Sequence, residues 1–244
     1  TASTIISALG VGKSAHYTAT QANTSGLTRK KFYATDTVTP ASYLGEAPAC
    51  DAVQLPDELQ HFSCRNHKLA YQTLLSDQFI NAVRTAADQY GSHQIGIAVG
   101  TSTSGIAETE TALKTKTTLA YKTTHRMASL ANFCAQALAL QGPRQVVSTA
   151  CSSSAKVFAT AQRWLDAGLV KAVVVGGVDS LCATTFYGFH SLGLVSDAHC
   201  APLDENRSGI NIGEAGGFML LEQTPVEDNN AVYLSGIGEA TDGY

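Results

Sequence analysis

Hydrophobic positions along this 244-residue chain follow two alternating patterns. Short apolar, β-branched runs read as strands: "STIISALG" from Ser3, closed by a glycine, "QIGIAVG" from Gln94, "QVVSTA" from Gln145, "KAVVVGGV" from Lys171, and the late "AGGFMLLEQ" and "AVYLSGIGEA". Between them, apolar spacings of three and four predict helices. "GKSAHYTATQAN" is one. Residues 64–90 form a single long amphipathic helix with Leu69, Leu74, Phe79, Ile80, Val83 and Ala87 near one face. Ser104 or Gly105 opens another. Residues 125–140 make a helix stopped by Gly142-Pro143, and residues 152–167 one ended by Gly168. Residues 24–56 show no period and read as loop with short strands. "KAVVVGGV" has almost no polar alternation, which implies cover on both faces, as in a parallel sheet between helices. Strands alternating with helices predict an α/β fold, layered on a mixed central sheet. There is no internal repeat. The chain stops at "EATDGY", directly after a predicted strand, which predicts a fold that continues beyond it.

Composition narrows the function. Charged residues are 15% of the chain, against roughly 25% in typical soluble domains, so part of the surface is expected to be covered by another subunit. The net charge of −4 gives no pointer to nucleic acid or an anionic membrane. No apolar run approaches the roughly 20 residues a membrane span needs, and the N-terminus lacks the layout of a signal peptide. The six cysteines form no C-x-x-C pair and no zinc-type cluster. Reduced thiols and a cytoplasmic location are therefore expected, with a Cys50–Cys64 disulfide as the less favoured alternative. No metal or organic cofactor is called for.

The chemistry concentrates in "QVVSTACSSSAKVFATAQRW", where Cys151 sits between a predicted strand and a predicted helix. A thiol at a helix's first turn lies among unpaired N–H groups and the positive end of the dipole, both of which favour thiolate. Small neighbours, Ala150, Ser152, Ser153 and Ser154, permit a sharp turn and an exposed sulfur. That is a setting for covalent catalysis. Cys151 as a small buried apolar residue, with Thr149 or Ser152 as cap, fits the local residues equally well.

"VVSTACSSSAKVFATAQRWLDAGLVKAVVVGGVDSL" resembles the active-site segment of the β-ketoacyl-acyl-carrier-protein synthases, condensing enzymes of the thiolase-like superfamily. "GFHSLGLVS" is similar to the family's aromatic loop. "APLDENRSGINIGEAGGFMLLE" is similar to its Pro-Phe-Asp … Arg-x-Gly … Gly-Glu-Gly-Ala-Gly pattern, with Leu203 in place of phenylalanine and Ala215 in place of glycine. "GIGEATDGY" is similar to the strand and loop before the family's second half. "VGTSTSGIAETE" together with the serine-rich elbow resembles a bacterial subgroup linked to polyene-type chain assembly.

The resemblance implies a thiolase-like layered fold, residues 1–244 being the N-terminal ketosynthase domain and the C-terminal half absent. It implies that Cys151 takes an acyl group from a carrier thioester. A carbanion from a decarboxylated malonyl-carrier thioester then attacks it, in fatty-acid, polyketide or polyene-type synthesis. Two catalytic histidines, a lysine and a glycine–phenylalanine loop belong to the family's second half. None of the seven histidines here matches their positions, so the isolated chain is expected to lack full activity. Phe189, Ser102 and Thr103 are implied to line the acyl path. Arg207, Gly209, Gly213 and Glu214 are implied to brace the core. The helix over residues 125–139 and the strand over residues 145–150 resemble the family's dimer interface, so a homodimer is expected. An acyl carrier protein is the implied partner, with Arg65, Lys68, Lys114, Lys116 and Lys122 as a loose set that can steer it. The alternatives are a non-catalytic chain-length-determining subunit, which usually lacks the cysteine, a thiolase-type acyltransferase, and a cysteine hydrolase. "GTSTSGIA" is no P-loop, since Ile106-Ala107 replace the Lys-Ser/Thr pair. "DENRSG" is no EF-hand, since its twelfth position is Ala215.

Overall fold

A computed structural model describes residues 2–35, 37, 41–223, 232–241 and 243. The chain opens with a hairpin, β1 (Ser3–Ser7) and β2 (Gly10–Val11), then α1 (Gly12–Gln21). Two short strands follow, β3 (Leu27–Lys30) and β4 (Ser42–Gly45). Then come α2 (Arg65–Leu75), α3 (Phe79–Tyr90), β5 (Ile95–Gly100), α4 (Ile106–Thr115), α5 (Ala128–Ala137) and β6 (Arg144–Val147). The remainder is α6 (Ser153–Asp166), β7 (Ala172–Asp179), α7 (Ala183–Ser191), β8 (Ile212–Gly213) and β9 (Ala215–Glu222).

Six strands form one mixed sheet in the order β2-β1-β9-β7-β5-β6. β7, β5 and β6 are parallel, and β9 runs antiparallel to both β7 and β1. β3, β4 and β8 form a separate small sheet. Every residue of β5 is buried, as an unalternating apolar run requires. Ile95, Ile97 and Val99 join Leu69, Phe79, Val83 and Phe133 in a core under α2, α3 and α5. On the opposite face Ala98, Val173 and Val175 pack against Val157 and Ala161 of α6. The period-two alternation of β5 and β7 thus feeds two cores at once.

Two expectations are corrected. Residues 64–90 are two helices, because Asp77 and Gln78 take φ of +53° and +59° between them. The break turns the Asp77 carboxylate toward α1, where both its oxygens accept from Lys13 N–H at 3.1 Å. A backbone amide at the start of α1 is thereby satisfied. The expected strand at "AVYLSGIGEA" does not form over residues 232–240, which have no regular secondary structure, Ala231 lying outside the described residues. This segment is instead held by side chains, Glu239 bridging Lys156 and Arg163 of α6.

Candidate active site

The strand–helix junction ahead of α6 is built by its own small polar residues. Ala150 holds a left-handed φ of +52°, a conformation that costs a non-glycine residue roughly 1–3 kcal/mol and needs support. Its carbonyl accepts three donors: Ser153 Oγ at 2.7 Å, Ser102 Oγ at 2.9 Å and Ser153 N–H at 3.1 Å. Ser153 Oγ also accepts from Thr149 N–H at 2.8 Å. Ser152 Oγ donates to the Thr149 carbonyl at 2.9 Å. The serines therefore do more than stay small: buried Ser153 and exposed Ser152 lock the turn. Cys151 stands on top of it, exposed. Helix α6 begins at Ser153 with Ser152 as its cap residue, so the thiol lies just before the first turn rather than inside it.

Close packing sets the position of that helix end. A Cβ on Gly100 would lie 2.6 Å from the Ser153 carbonyl carbon, and one on Gly177 2.6 Å from Ser154 Cβ. The ends of β5 and β7 carry glycine where the first turn of α6 rests on them.

The other thiols sit in different surroundings. Cys50, Cys64, Cys134 and Cys182 are buried, Cys200 is half-buried, and all six cysteines are free. Burial pushes Cys50 up to about 11 and Cys134 up to about 12, and raises Cys64 and Cys182 as well. Among the six, only Cys151 combines an exposed position with a braced turn.

No hydrogen bond joins any of the seven histidines to Cys151. His67 is fully buried, donates from Nδ1 to the Phe62 carbonyl at 2.7 Å and stacks on Phe133. Burial lowers it to about 4, so the ring is neutral. His16 is tied to Ser7 and Gly12, and His125 to Thr109. His190 lies over Phe186 in α7. No group of three or more potential metal ligands occurs among the described residues.

Of the other expected site residues, Ser102 reaches the elbow directly through its hydroxyl. Thr103 is buried, its N–H and hydroxyl both 2.9 Å from Asp179 Oδ1. Phe189 belongs to the end of α7, not to a loop, and packs with Phe186, Leu44 and Ile212 in a third apolar cluster. Glu214 is fully buried and receives a two-pronged ion pair from Arg65, at 2.8 and 2.5 Å, plus the N–H groups of Ala47 and Leu181. It is a brace, as the motif implies. Arg207 is exposed and, among the described residues, its side chain donates to the Asp204 carbonyl of its own loop. Arg65 is held by Glu214 and Asp51, which removes it from the steering set, and Lys114 lies over the Tyr33 ring. Asp179 was not singled out by sequence. The signal was one carboxylate ending a run of seven apolar and glycine residues, level with the start of the nucleophile helix.

Comparison with known proteins fits this geometry. Residues 59–226 match the family profile "Beta-ketoacyl synthase, N-terminal domain". A 3-oxoacyl-[acyl-carrier-protein] synthase 2 of Synechocystis sp. is 26% identical over 196 residues, which is 73% of this chain and 46% of that protein. Polyketide synthase PksL of Bacillus subtilis is 36% identical over 97 residues, 38% of this chain and 2% of that polypeptide. A Xenorhabdus doucetiae ketosynthase structure, solved in complex with its chain length factor, superposes with a TM-score of 0.81 at 28% identity, covering 93% of this chain and 58% of that one. The chain thus spans about half the length of the synthase it matches, and a small part of the larger polyketide synthase. Among the described residues no helix is long and apolar enough to cross a membrane.

Proposed function

The chain belongs to the β-ketoacyl synthase family through that N-terminal domain, and on this premise we propose that Cys151 is the acyl-accepting nucleophile of a decarboxylating condensation. The observation that carries this is the exposed thiol on the braced turn, beside four thiols shut inside the core. The sulfur attacks an acyl thioester carbonyl; the S–acyl bond forms, and the donor thiol leaves with the proton Cys151 gives up. A malonyl thioester then loses CO2, and its carbanion attacks the acyl-cysteine, forming the β-keto carbon–carbon bond and returning the thiolate. The Cys151 N–H at the helix start is one oxyanion donor. No histidine here reaches the thiol, so the decarboxylation donors come from other residues of the polypeptide or from a second subunit. Acyl and malonyl carrier proteins are the proposed donors. Ser102 and Phe189 are proposed substrate contacts. Thr103, with its polar groups on Asp179 and Ser180, offers an acyl chain its methyl group. Six free thiols suit a reducing compartment, the cytoplasm.

The sheet ends on β6, whose Arg144 and Gln145 are exposed and whose partner among the described residues is β5 alone. We propose that this edge pairs across a two-fold axis in a homodimer. The solved complex of a ketosynthase with a chain length factor favours one second reading, a heterodimer with such a subunit. Retention of Cys151 makes this chain the ketosynthase side of it. The test is condensation from acyl and malonyl carrier thioesters by the full polypeptide together with any second subunit it binds, wild type against Cys151→Ala. Complete loss of β-ketoacyl product in the variant is expected; product at the wild-type level would remove Cys151 from the reaction.

A further inference from the structure

Asp179 closes β7, its backbone paired with Ala215 of β9, while the ladder to β5 ends two residues earlier at Gly177. One of its oxygens gathers the whole turn that follows β5. Oδ1 accepts from Ser102 N–H at 2.7 Å, Thr103 N–H at 2.9 Å, Thr103 Oγ1 at 2.9 Å and Thr101 Oγ1 at 3.0 Å. Within that turn Ser104 takes a φ of +43°, its N–H donating to Thr101 Oγ1 at 3.0 Å. The turn has no regular pairing of its own; the carboxylate sets its shape. Charged acceptors make the stronger hydrogen bonds, and this one is anchored at the end of a strand paired with β9. The turn in turn holds Ser102, whose hydroxyl is 2.9 Å from the Ala150 carbonyl. Ala150 is the residue whose left-handed backbone presents Cys151.

We propose that Asp179 is a positioning residue for the nucleophile, acting through Ser102. Resting on the reading of Cys151 as acyl acceptor, this deepens it: the thiol is aimed from two sides, by Ser153 within its own helix and by Asp179 and Ser102 from the sheet. Asp179 touches no reacting atom. Its contribution is the fixed direction of the Ser102 hydroxyl, and so of the Ala150 peptide and the sulfur after it. Because Ser153 also holds the Ala150 carbonyl, loss of the second support loosens the turn without abolishing it.

The test compares wild type with Ser102→Ala, Asp179→Ala, the two combined, and Asp179→Asn. Acylation of Cys151 by a short-chain acyl thioester and its alkylation by iodoacetamide are followed by peptide mapping, with buried Cys134 remaining unlabelled as the control for folding. Ser102→Ala and Asp179→Ala are each expected to slow acylation roughly tenfold, equivalent to about 1.4 kcal/mol. If Asp179 works through Ser102, the double variant is no slower than Asp179→Ala. Asp179→Asn, which keeps an acceptor oxygen for the turn, recovers most of the rate. Additive losses in the double variant overturn the proposal. So does an Asp179→Asn protein as slow as Asp179→Ala, which would make charge and not geometry the cause. Ser102→Ala acylating at the wild-type rate overturns it as well, even if Asp179→Ala fails to fold. Alkylation separates this from the premise. A wild-type Cys151 that is never acylated, yet is alkylated more slowly and non-additively in the variants, keeps the positioning and removes the acyl-acceptor role. Wild-type acylation matched by every variant does the reverse.

Discussion

Gly100→Ala tests whether the close seat of α6 on the sheet is what places the nucleophile. The φ of Gly100 is outside the left-handed range, so alanine's backbone fits; only its methyl does not. That methyl would lie 2.6 Å from Ser153 C, 2.7 Å from Ser153 O and 2.7 Å from Ser154 N. An ordinary contact begins near 3.4 Å, so the first turn of α6 must retreat by roughly 0.8 Å, about the misplacement that can cost 10²-fold in rate. All three atoms are backbone, and no rotamer relieves the clash. Overpacking of this kind costs roughly 1–3 kcal/mol, offset by at most about 1 kcal/mol from the lower chain entropy of unfolded alanine. Gly168→Ala is the matched control at the far end of the same helix. It has φ +66° and nothing within 4 Å, so it costs about 1–2 kcal/mol in backbone strain alone. Urea unfolding measures stability, and acyl-thioester labelling measures Cys151. Both variants are expected to lose comparable stability, while only Gly100→Ala slows acylation, by an order of magnitude or more. A Gly100→Ala protein with wild-type stability and wild-type acylation would refute the claim that contact with β5 positions the thiol.

Other predictions are independent of that one. Glu214→Ala strips Arg65 of its main partner and leaves the Ala47 and Leu181 amides unpaired; a loss of roughly 3–5 kcal/mol is expected by denaturant titration, and a loss under 1 kcal/mol contradicts the bracing role. His67 is held neutral in the fold, at about 4, below its ordinary 6.5. The unfolded chain therefore binds the proton more readily, and stability falls as pH drops from about 6.5 toward 4, by about 3 kcal/mol in all. His67→Gln should flatten that slope. The buried thiols act at the other extreme: Cys50 and Cys134 keep their protons in the fold up to about 11 and 12, above the ordinary 9. Their contribution is intact below pH 9 and is lost as pH rises toward 11 and 12, which alkaline unfolding curves would reveal as a decline absent from a Cys50→Ala, Cys134→Ala double variant.

The fold was legible wherever a single segment decided its own state. β5 and β7 announced themselves as unbroken apolar runs, and their burial on both faces follows from that alone. The break at Asp77 was hidden, because the apolar period runs straight through it; the partner that explains it, Lys13 N–H, lies 64 residues away. Cys151 was visible from its neighbours, and the three serines pointed to a tight turn. Their hydrogen-bonding roles were not visible, since Ser153 and Ser102 come together, at the Ala150 carbonyl and with each other, once β5 and α6 are side by side. Arg65 read as a surface cation because its partner Glu214 is 149 residues distant and wholly buried. Asp179 was missed for the same reason: a carboxylate ending a strand says nothing by itself about the turn it will gather.

Everything proposed for this chain's chemistry passes through one sulfur. The direct measurement is peptide-mapped mass spectrometry after brief exposure of the native protein to an acyl thioester near neutral pH. An acyl mass on Cys151, with Cys50, Cys64, Cys134 and Cys182 unmodified, is the result predicted. Acylation at Cys200 or at a buried thiol, with Cys151 unmodified, would contradict the assignment of the nucleophile.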